Sequence, residues 1–212
     1  DRAGTLVDRA ADIALSLNRA LADLGLGAVT EAQVRDWVGR GAARLIEVAL
    51  QHVVPHHGQD PQKHAVEARL LAAFMARYQD SVCEASTVYL GVAEFVAAAR
   101  NAGIRLACVT NKPYRPAVAL LEALNLLDAF ELVIGGDTLA HKKPHPEPLL
   151  HCLRHFEVTA AQALMVGDSR NDVDAAKAAG VKSLALPYGY NHGEPIEDCA
   201  PDRLVASLAE LI

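Results

Sequence analysis

Two carboxylates stand four residues apart, directly after a short apolar run. Leu164 to Val166 predict a buried strand, and Asp168 and Asp172 follow it at the start of an Ala-rich helix. In an open α/β sheet, groups at the carboxyl ends of strands line the ligand crevice, which makes the two acids candidate ligands of a divalent metal. The alternative is a capped helix start, since Ser169 and Asp172 also have the spacing of a capping motif. This pattern alone leaves both interpretations open.

Three other places in the chain offer polar groups at the expected ends of strands: Asp1 with Thr5, Thr110 with Asn111, and Lys143. Each is a weak signal alone. Together with the two acids they supply a carboxylate nucleophile, a hydroxyl and an amide for phosphoryl oxygens, an ammonium and carboxylates for a cation. Clustered carboxylates repel unless a cation lies between them, and hard oxygen ligands suit Mg²⁺. The set therefore indicates phosphate chemistry, which depends on positioning and charge neutralisation.

The elements that must position these groups fall into two regions. Apolar spacing predicts an amphipathic helix from about Asp8 to Leu26 and further helices up to about Ser81, with no strand candidate before that point. Beyond it, strands and helices alternate, which predicts an α/β fold with a doubly wound parallel sheet. The predicted strands are 104–109, 132–134, 164–166 and 183–186, and the predicted helices 92–102, 117–124, 147–156, 174–180 and 203–211.

Composition narrows the functional classes. The chain has 212 residues, of which 51% are hydrophobic, so a sizeable core is available. A net charge of -6 with interspersed signs argues against nucleic-acid and anionic-membrane partners. No apolar run approaches the ~20 residues of a membrane span. The four cysteines show no metal-ligand or redox spacing, and we expect reduced thiols in a cytoplasmic protein: Cys83, Cys108, Cys152 and Cys199.

The first residues, Asp1 to Asp8, form a polar turn without an initiator Met or a secretion signal. We expect either that an upstream segment precedes this turn or that another segment replaces the strand that should lead into it.

The order of these motifs resembles the haloacid dehalogenase superfamily of phosphohydrolases, whose first motif is D-x-D-G-T. The other motifs match at Val109-Thr110-Asn111, at Lys143-Pro144-His145-Pro146 and at Gly167 to Asp172. The resemblance implies a Rossmann-like core formed by residues 1–8 and 82–212. It also implies that residues 9–81 form a helical cap of the first type.

Two segments look specifically like phosphoglycolate phosphatases: Lys142 to Leu149 and Tyr188 to Pro195. This resemblance implies hydrolysis of a small phosphate monoester, with 2-phosphoglycolate as the first choice. The expected partner is this small molecule alone, with no nucleic acid or membrane, and the expected assembly is a monomer or a homodimer.

The resemblance also implies roles for individual residues. Asp1 would attack phosphorus and form an aspartyl-phosphate, while Thr110 and Lys143 would bind the transferring phosphoryl group, with Asn111 beside them. Gly4 would permit the tight turn that lets the Thr5 amide face the phosphate. The expected Mg²⁺ ligands are Asp1, the backbone carbonyl of Ala3 and Asp168, with Asp172 nearby to orient Lys143 or a metal-bound water.

Ala3 departs from the family pattern, because the family has its second acid at this position. That acid protonates the leaving alkoxide and later activates water, and alanine can do neither. We therefore expect an impaired phosphatase. Two alternatives stay open: a binding protein that holds Mg²⁺ and phosphate without turnover, and an ordinary phosphatase whose recorded sequence is altered here.

A third alternative follows from Asp-x-Ala-Gly-Thr, which resembles the first motif of phosphonoacetaldehyde hydrolases. Those enzymes cleave a C–P bond with a Schiff-base lysine from the cap. Lys63 is the only lysine in the predicted cap and lies in a predicted amphipathic helix, which favours the phosphatase interpretation.

Several weaker signals concern the predicted cap. Arg40 lies between two glycines, and we weigh a contact with the carboxylate of a small acid against an exposed loop arginine. Trp37 is predicted to pack within the cap. The histidines at 52, 56 and 57 are interpreted as a solvated loop rather than a metal site, because Pro55 interrupts the helix.

Two further signals lie outside the predicted cap. Lys142 is predicted to be a surface neighbour of Lys143, since the chemistry needs only one lysine. The loop from Tyr188 to Gly193 is predicted to lie beside the site, where Asn191 or His192 would contact substrate or cap.

Overall fold

The computed structural model describes residues 4–38, 42–59, 61–80, 84–191 and 194–212. The chain divides into two compact units, one formed by Asp1–Asp8 with Thr87–Ile212 and the other by Arg9–Ser86. The helical unit therefore ends at Ser86 in the structure, whereas the sequence analysis expected it to end at residue 81.

The smaller unit is helical. Its helices are α1 (Ala10–Asp23), α2 (Glu31–Trp37), α3 (Ala42–Val53) and α4 (Lys63–Asp80), with a short 3-10 helix at His57–Gln59. The predicted amphipathic face of α1 is confirmed, since its apolar residues are buried in one cluster with residues of the other three helices. Trp37 packs against this cluster, as predicted.

A buried carboxylate joins the end of this unit to its first helix. Asp12 in α1 is fully buried. Its Oδ1 accepts hydrogen bonds from the backbone N–H of Glu84 (3.1 Å) and Ala85 (2.6 Å), and its Oδ2 accepts from the N–H of Ser86 (3.1 Å) and from the Ser86 hydroxyl. These bonds place residues 84–86 in the helical unit.

Replacing Asp12 with alanine should therefore destabilise the helical unit. The substitution leaves three backbone N–H groups without their acceptor, and we expect a loss of about 2–4 kcal/mol in the free energy of unfolding. Asp23→Ala is the matched control, because Asp23 forms an exposed ion pair with Arg77, worth about 0–1 kcal/mol. Urea unfolding followed by circular dichroism measures both variants, and equal losses would contradict the role assigned to Asp12.

The larger unit alternates strands and helices. Its strands are β1 (Val7–Asp8), β2 (Thr87–Val88), β3 (Ala107–Val109), β4 (Leu132–Ile134), β5 (Leu164–Gly167), β6 (Lys182–Ala185) and β7 (Arg203–Leu204). Its helices are α5 (Val92–Asn101), α6 (Tyr114–Ala123), α7 (Glu147–Phe156) and α8 (Arg170–Ala179). Short 3-10 helices lie at Leu127–Ala129, Ala160–Gln162, Ile196–Cys199 and Leu208–Leu211.

The pairing of the strands confirms the predicted parallel arrangement. β3 pairs with β4 in parallel, as does β6 with both β5 and β7. In β5 and β6, Leu164 lies opposite Lys182 and Gly167 lies opposite Ala185. The described strands thus form parallel groups of two and three, together with one antiparallel pair, β1 with β2.

Two sequence predictions about these elements were wrong. The region predicted to begin a helix at Asp8 starts instead with β1, whose Val7 lies opposite Val88 of β2. Residues 203–211, predicted as a closing helix, form β7 and the 3-10 helix Leu208–Leu211. Both elements are only two residues long as strands, too short for an alternating pattern to be visible.

Three cysteines of the larger unit, Cys108, Cys152 and Cys199, are free thiols and buried. Burial, and then the neighbouring Cys108, raises the pKa of Cys152 to about 11. Within the described ranges, no helix combines the length and the apolar character that crossing a bilayer requires.

Candidate active site

The residues singled out for phosphate chemistry lie in segments that follow or precede the parallel strands of the larger unit. Thr110 and Asn111 come directly after β3, and Asp168 comes directly after β5. Lys143 lies in the segment between β4 and α7. The carboxyl ends of parallel strands meet at one edge of a sheet, which is where ligands bind in α/β folds.

Lys143 is a buried cation, with 2% of its surface exposed. Its Nζ donates to the backbone carbonyl of Val109 (2.7 Å) and to Oδ1 of Asp172 (2.6 Å). The Asn111 side-chain amide donates to the Lys143 carbonyl at 2.8 Å. Two separate elements, β3 with its following residues and α8, therefore fix the position of the ammonium.

Asp172 stabilises both this lysine and the start of α8. Its Oδ2 accepts from the backbone N–H of Asp168 (3.1 Å) and Ser169 (3.1 Å) and from the Ser169 hydroxyl (2.8 Å). The capping interpretation of this motif is thus confirmed. Burial opposes ionisation of the Asp172 carboxyl, but the adjacent Lys143 charge and the Ser169 hydrogen bond outweigh it, so the pKa lies below its ordinary value.

Asp168 is also buried, but its carboxylate has hydrogen-bond partners that differ from those of Asp172. Its Oδ1 accepts a hydrogen bond from the Thr5 hydroxyl, and its Oδ2 accepts from the backbone N–H of Tyr190 at 2.7 Å. Burial raises the pKa of Asp168 to about 6, and the negative charge of Asp172 acts in the same direction. A carboxylate in this environment is stabilised by a cation.

Two glycines make room for the Asp168 carboxylate. A Cβ atom at Gly4 or at Gly189 would overlap it. Gly4 also has a φ of 88°, a conformation that favours glycine. The backbone at both glycines therefore lies close to the Asp168 carboxylate and restricts its position.

The structure brings most of the predicted residues together. One hydrogen-bonded network contains the side chains of Thr5, Lys143, Asp168 and Asp172. It also includes backbone groups of β3 and of the loop that follows β6. Thr110 is buried next to this network, and its hydroxyl accepts from the Lys112 N–H at 3.3 Å. Asp1, Ala3 and Arg40 lie outside the described residues.

The minor predictions have mixed outcomes. Lys142 is exposed while Lys143 is buried, as predicted. His52 and His56 are exposed, but the expectation of a solvated loop was wrong for His57. The His57 ring is buried, and its Nε2 lies 3.1 Å from Oε1 of Glu67 because α4 packs over the loop.

The loop after β6 contributes more than the sequence indicated. The Tyr190 N–H holds Asp168, and the Tyr188 hydroxyl donates to the Thr5 carbonyl at 2.9 Å. Asn191 accepts from the Arg170 N–H at 2.7 Å and thereby holds the start of α8. His192 lies outside the described residues. The sequence indicated this loop only by its position at the carboxyl end of a predicted parallel strand. The hydrogen bond from Tyr190 could not be predicted, because its donor is a backbone N–H that almost any residue type provides.

Comparison with known proteins identifies the family of the chain. A family model described as haloacid dehalogenase-like hydrolase matches residues 1–186. The chain belongs to this family. The phosphoglycolate phosphatase of Nitrosococcus oceani is 43% identical over 208 residues, covering 98% of the chain and 91% of that protein. The phosphoglycolate phosphatase of Colwellia psychrerythraea is 42% identical over 212 residues, covering 100% of the chain and 93% of that protein.

A solved structure confirms the fold of this haloacid dehalogenase-like hydrolase. A predicted phosphoglycolate phosphatase from Haemophilus somnus 129pt superimposes with a TM-score of 0.82 and 33% identity, covering 100% of the chain and 93% of that structure. The predicted α/β Rossmann-like class is therefore confirmed, and the chain is a phosphatase of this family.

Proposed function

We propose that the chain hydrolyses 2-phosphoglycolate to glycolate and phosphate, with Mg²⁺ and through an aspartyl-phosphate on Asp1. The observation that carries the reaction type is the buried network in which Lys143, Asp172 and Asp168 lie together. The names of relatives that match almost the whole chain support the substrate.

The donor set suits Mg²⁺. Asp168 presents a buried carboxylate, and its pKa of about 6 reflects the cost of holding that charge away from solvent. We propose that Asp168, Asp1 and the backbone carbonyl of Ala3 hold the ion. When bound, Mg²⁺ would neutralise charge on the phosphoryl oxygens.

For Asp172, the contacts support the role of orienting Lys143. Its Oδ1 accepts from Lys143, and its Oδ2 accepts from three donors at the start of α8. These bonds hold the carboxylate against Lys143 and the start of α8, so we propose Asp172 as a positioning residue rather than as a direct metal ligand.

The proposed reaction begins with attack of the Asp1 carboxylate on phosphorus, which breaks the bond to the glycolate oxygen. The Lys143 ammonium neutralises negative charge on the transferring group, and Thr110, Asn111 and the Thr5 amide bind its oxygens. The glycolate alkoxide takes a proton from solvent, and water then attacks phosphorus, gives a proton to solvent and releases phosphate and the Asp1 carboxylate.

Ala3 should slow both steps of this reaction, the departure of glycolate and the hydrolysis of the aspartyl-phosphate. It has no proton to give to the glycolate alkoxide and no base to activate the attacking water. General acid–base catalysis contributes about 10²–10⁴-fold, so we propose a slow enzyme for this substrate.

Phosphate release from 2-phosphoglycolate and from p-nitrophenyl phosphate, with Mg²⁺ and with excess EDTA, tests the proposal. We expect Mg²⁺-dependent release, with the aryl ester favoured because phenolate leaves without protonation. Absence of release from both esters, with phosphate binding retained, would indicate the non-catalytic alternative. Borohydride trapping of phosphonoacetaldehyde on Lys63 would indicate the C–P bond hydrolase instead.

Gly189→Ala should weaken the proposed metal site. The added Cβ would overlap the Asp168 carboxylate, and we expect the Mg²⁺ concentration for half-maximal rate to rise by about 10–100-fold. Gly27→Ala is the control, since a Cβ there meets nothing within 4 Å. A magnesium titration of aryl phosphate hydrolysis measures the effect. An unchanged midpoint in the Gly189 variant would contradict the assignment of Asp168 as a ligand.

A further inference from the structure

Away from the network around Asp168, three side chains of the larger unit converge at the surface. His141 and His145 are exposed, and Glu147 is half-buried at the first position of α7. One ligand atom from each lies within 4.8 Å of the other two. The two imidazole rings stack, with centroids 4.1 Å apart and an angle of 21° between their planes.

The backbone holds these side chains in place. The His141 N–H donates to Oε2 of Glu147 at 2.8 Å, and the Glu147 N–H donates to Nδ1 of His145 at 3.2 Å. The His145 N–H in turn donates to the Lys142 carbonyl at 3.0 Å. The cluster is therefore ordered by bonds within a seven-residue segment rather than by chance contact of long side chains.

The chemistry and spacing of the cluster match those of a transition-metal site. His141 Nδ1 forms a hydrogen bond with Oε2 of Glu147 at 2.9 Å, and a bound metal ion would take the place of the shared proton. Two ligands bound at right angles, each about 2.1 Å from one ion, lie about 3 Å apart. Two imidazoles and one carboxylate suit zinc, nickel or iron, whereas magnesium prefers oxygen ligands alone.

We propose that His141, His145 and Glu147 bind a divalent transition-metal ion, for which Zn²⁺ serves as the probe. Lys143 lies between the two histidines in sequence, but its side chain is buried and bonds to Asp172, so its ammonium does not face the cluster. The ion would join the residues on both sides of Lys143 to the first turn of α7. This site is separate from the proposed magnesium ligands and does not depend on the proposed function.

Zinc titration of the untagged full chain by calorimetry, in saturating Mg²⁺, tests the site. We expect one Zn²⁺ per chain, and affinities at least about tenfold weaker in His141→Gln, His145→Gln and Glu147→Gln. His155→Gln is the matched control, because His155 is also exposed and lies on α7 but outside the cluster. Thermal unfolding without zinc verifies that each variant is folded.

X-ray absorption at the zinc edge gives a readout that needs no variant. We expect nitrogen and oxygen scatterers with the multiple scattering of two imidazoles. Failure of the wild-type chain to bind zinc, equal affinity in all four variants, or sulfur in the coordination shell would overturn the proposal.

Discussion

Replacing Ala3 with Asp should raise turnover of 2-phosphoglycolate by about 10²–10⁴-fold. The new carboxyl group would protonate the glycolate alkoxide as it leaves and would then activate water for hydrolysis of the aspartyl-phosphate. An aryl ester benefits from the second step alone, because phenolate leaves without a proton. The gain in kcat/KM for p-nitrophenyl phosphate should therefore be much smaller, because kcat/KM reports phosphoryl transfer to Asp1 and excludes the hydrolysis step that both esters share.

Ala3→Asn is the matched control for this experiment. Asparagine has the size and backbone of aspartate but carries no transferable proton near neutral pH. It should leave turnover of both substrates close to that of the starting chain. Equal gains in kcat/KM for the alkyl and aryl esters in the Asp variant, or an equal gain in the Asn variant, would refute the role of a proton donor to the leaving group at this position.

The long amphipathic and buried segments were predictable from sequence because their periodicity extends over several turns. The helix at 147–156 and the strand at 132–134 were predicted at their observed bounds. β1 and β7 were not predictable in the same way. Each has two residues, and its strand geometry depends on a partner distant in sequence: Val88 for Val7, and Ala185 for Leu204.

The site shows the same division between local and distant determinants. The proximity of Asp168, Asp172 and Lys143 was predictable, since each lies beside a predicted strand or helix start and their order matches the motifs of a known superfamily. Their partners were harder to predict, because Tyr190 contributes a backbone N–H and Gly189 contributes only the space that its missing side chain leaves. For Asp172, the sequence predicted capping of the helix start and, by resemblance, a position beside Lys143, and the structure shows that one carboxylate does both.

Lys143→Met should strongly reduce both the stability and the activity of the chain. Lys143 is 2% exposed, and its ammonium lies 2.6 Å from the buried Asp172 carboxylate. Its removal leaves that charge unpaired, at an expected cost of about 3–5 kcal/mol in the free energy of unfolding. Loss of the ammonium from the proposed phosphoryl site should also lower kcat by about 10²–10³-fold.

Lys142→Met separates these effects from a general loss of charge. Lys142 is exposed and adjacent in sequence, so its replacement should change stability by no more than about 0.5 kcal/mol. Urea unfolding and aryl phosphate kinetics, measured on both variants, give the comparison. Similar results for the two lysines would contradict the assignment of Lys143.

Adding Asp172→Asn to Lys143→Met distinguishes the structural role of the pair from its catalytic role. The double variant no longer buries an unpaired carboxylate, while the side-chain oxygen of asparagine still accepts bonds at the start of α8. Much of the lost stability should therefore return, because the penalty in the single variant arises from the uncompensated charge. Activity should not return, because neither substitution restores a cation to the phosphoryl site. Recovery of activity along with stability would mean that Lys143 acts only by holding the fold together.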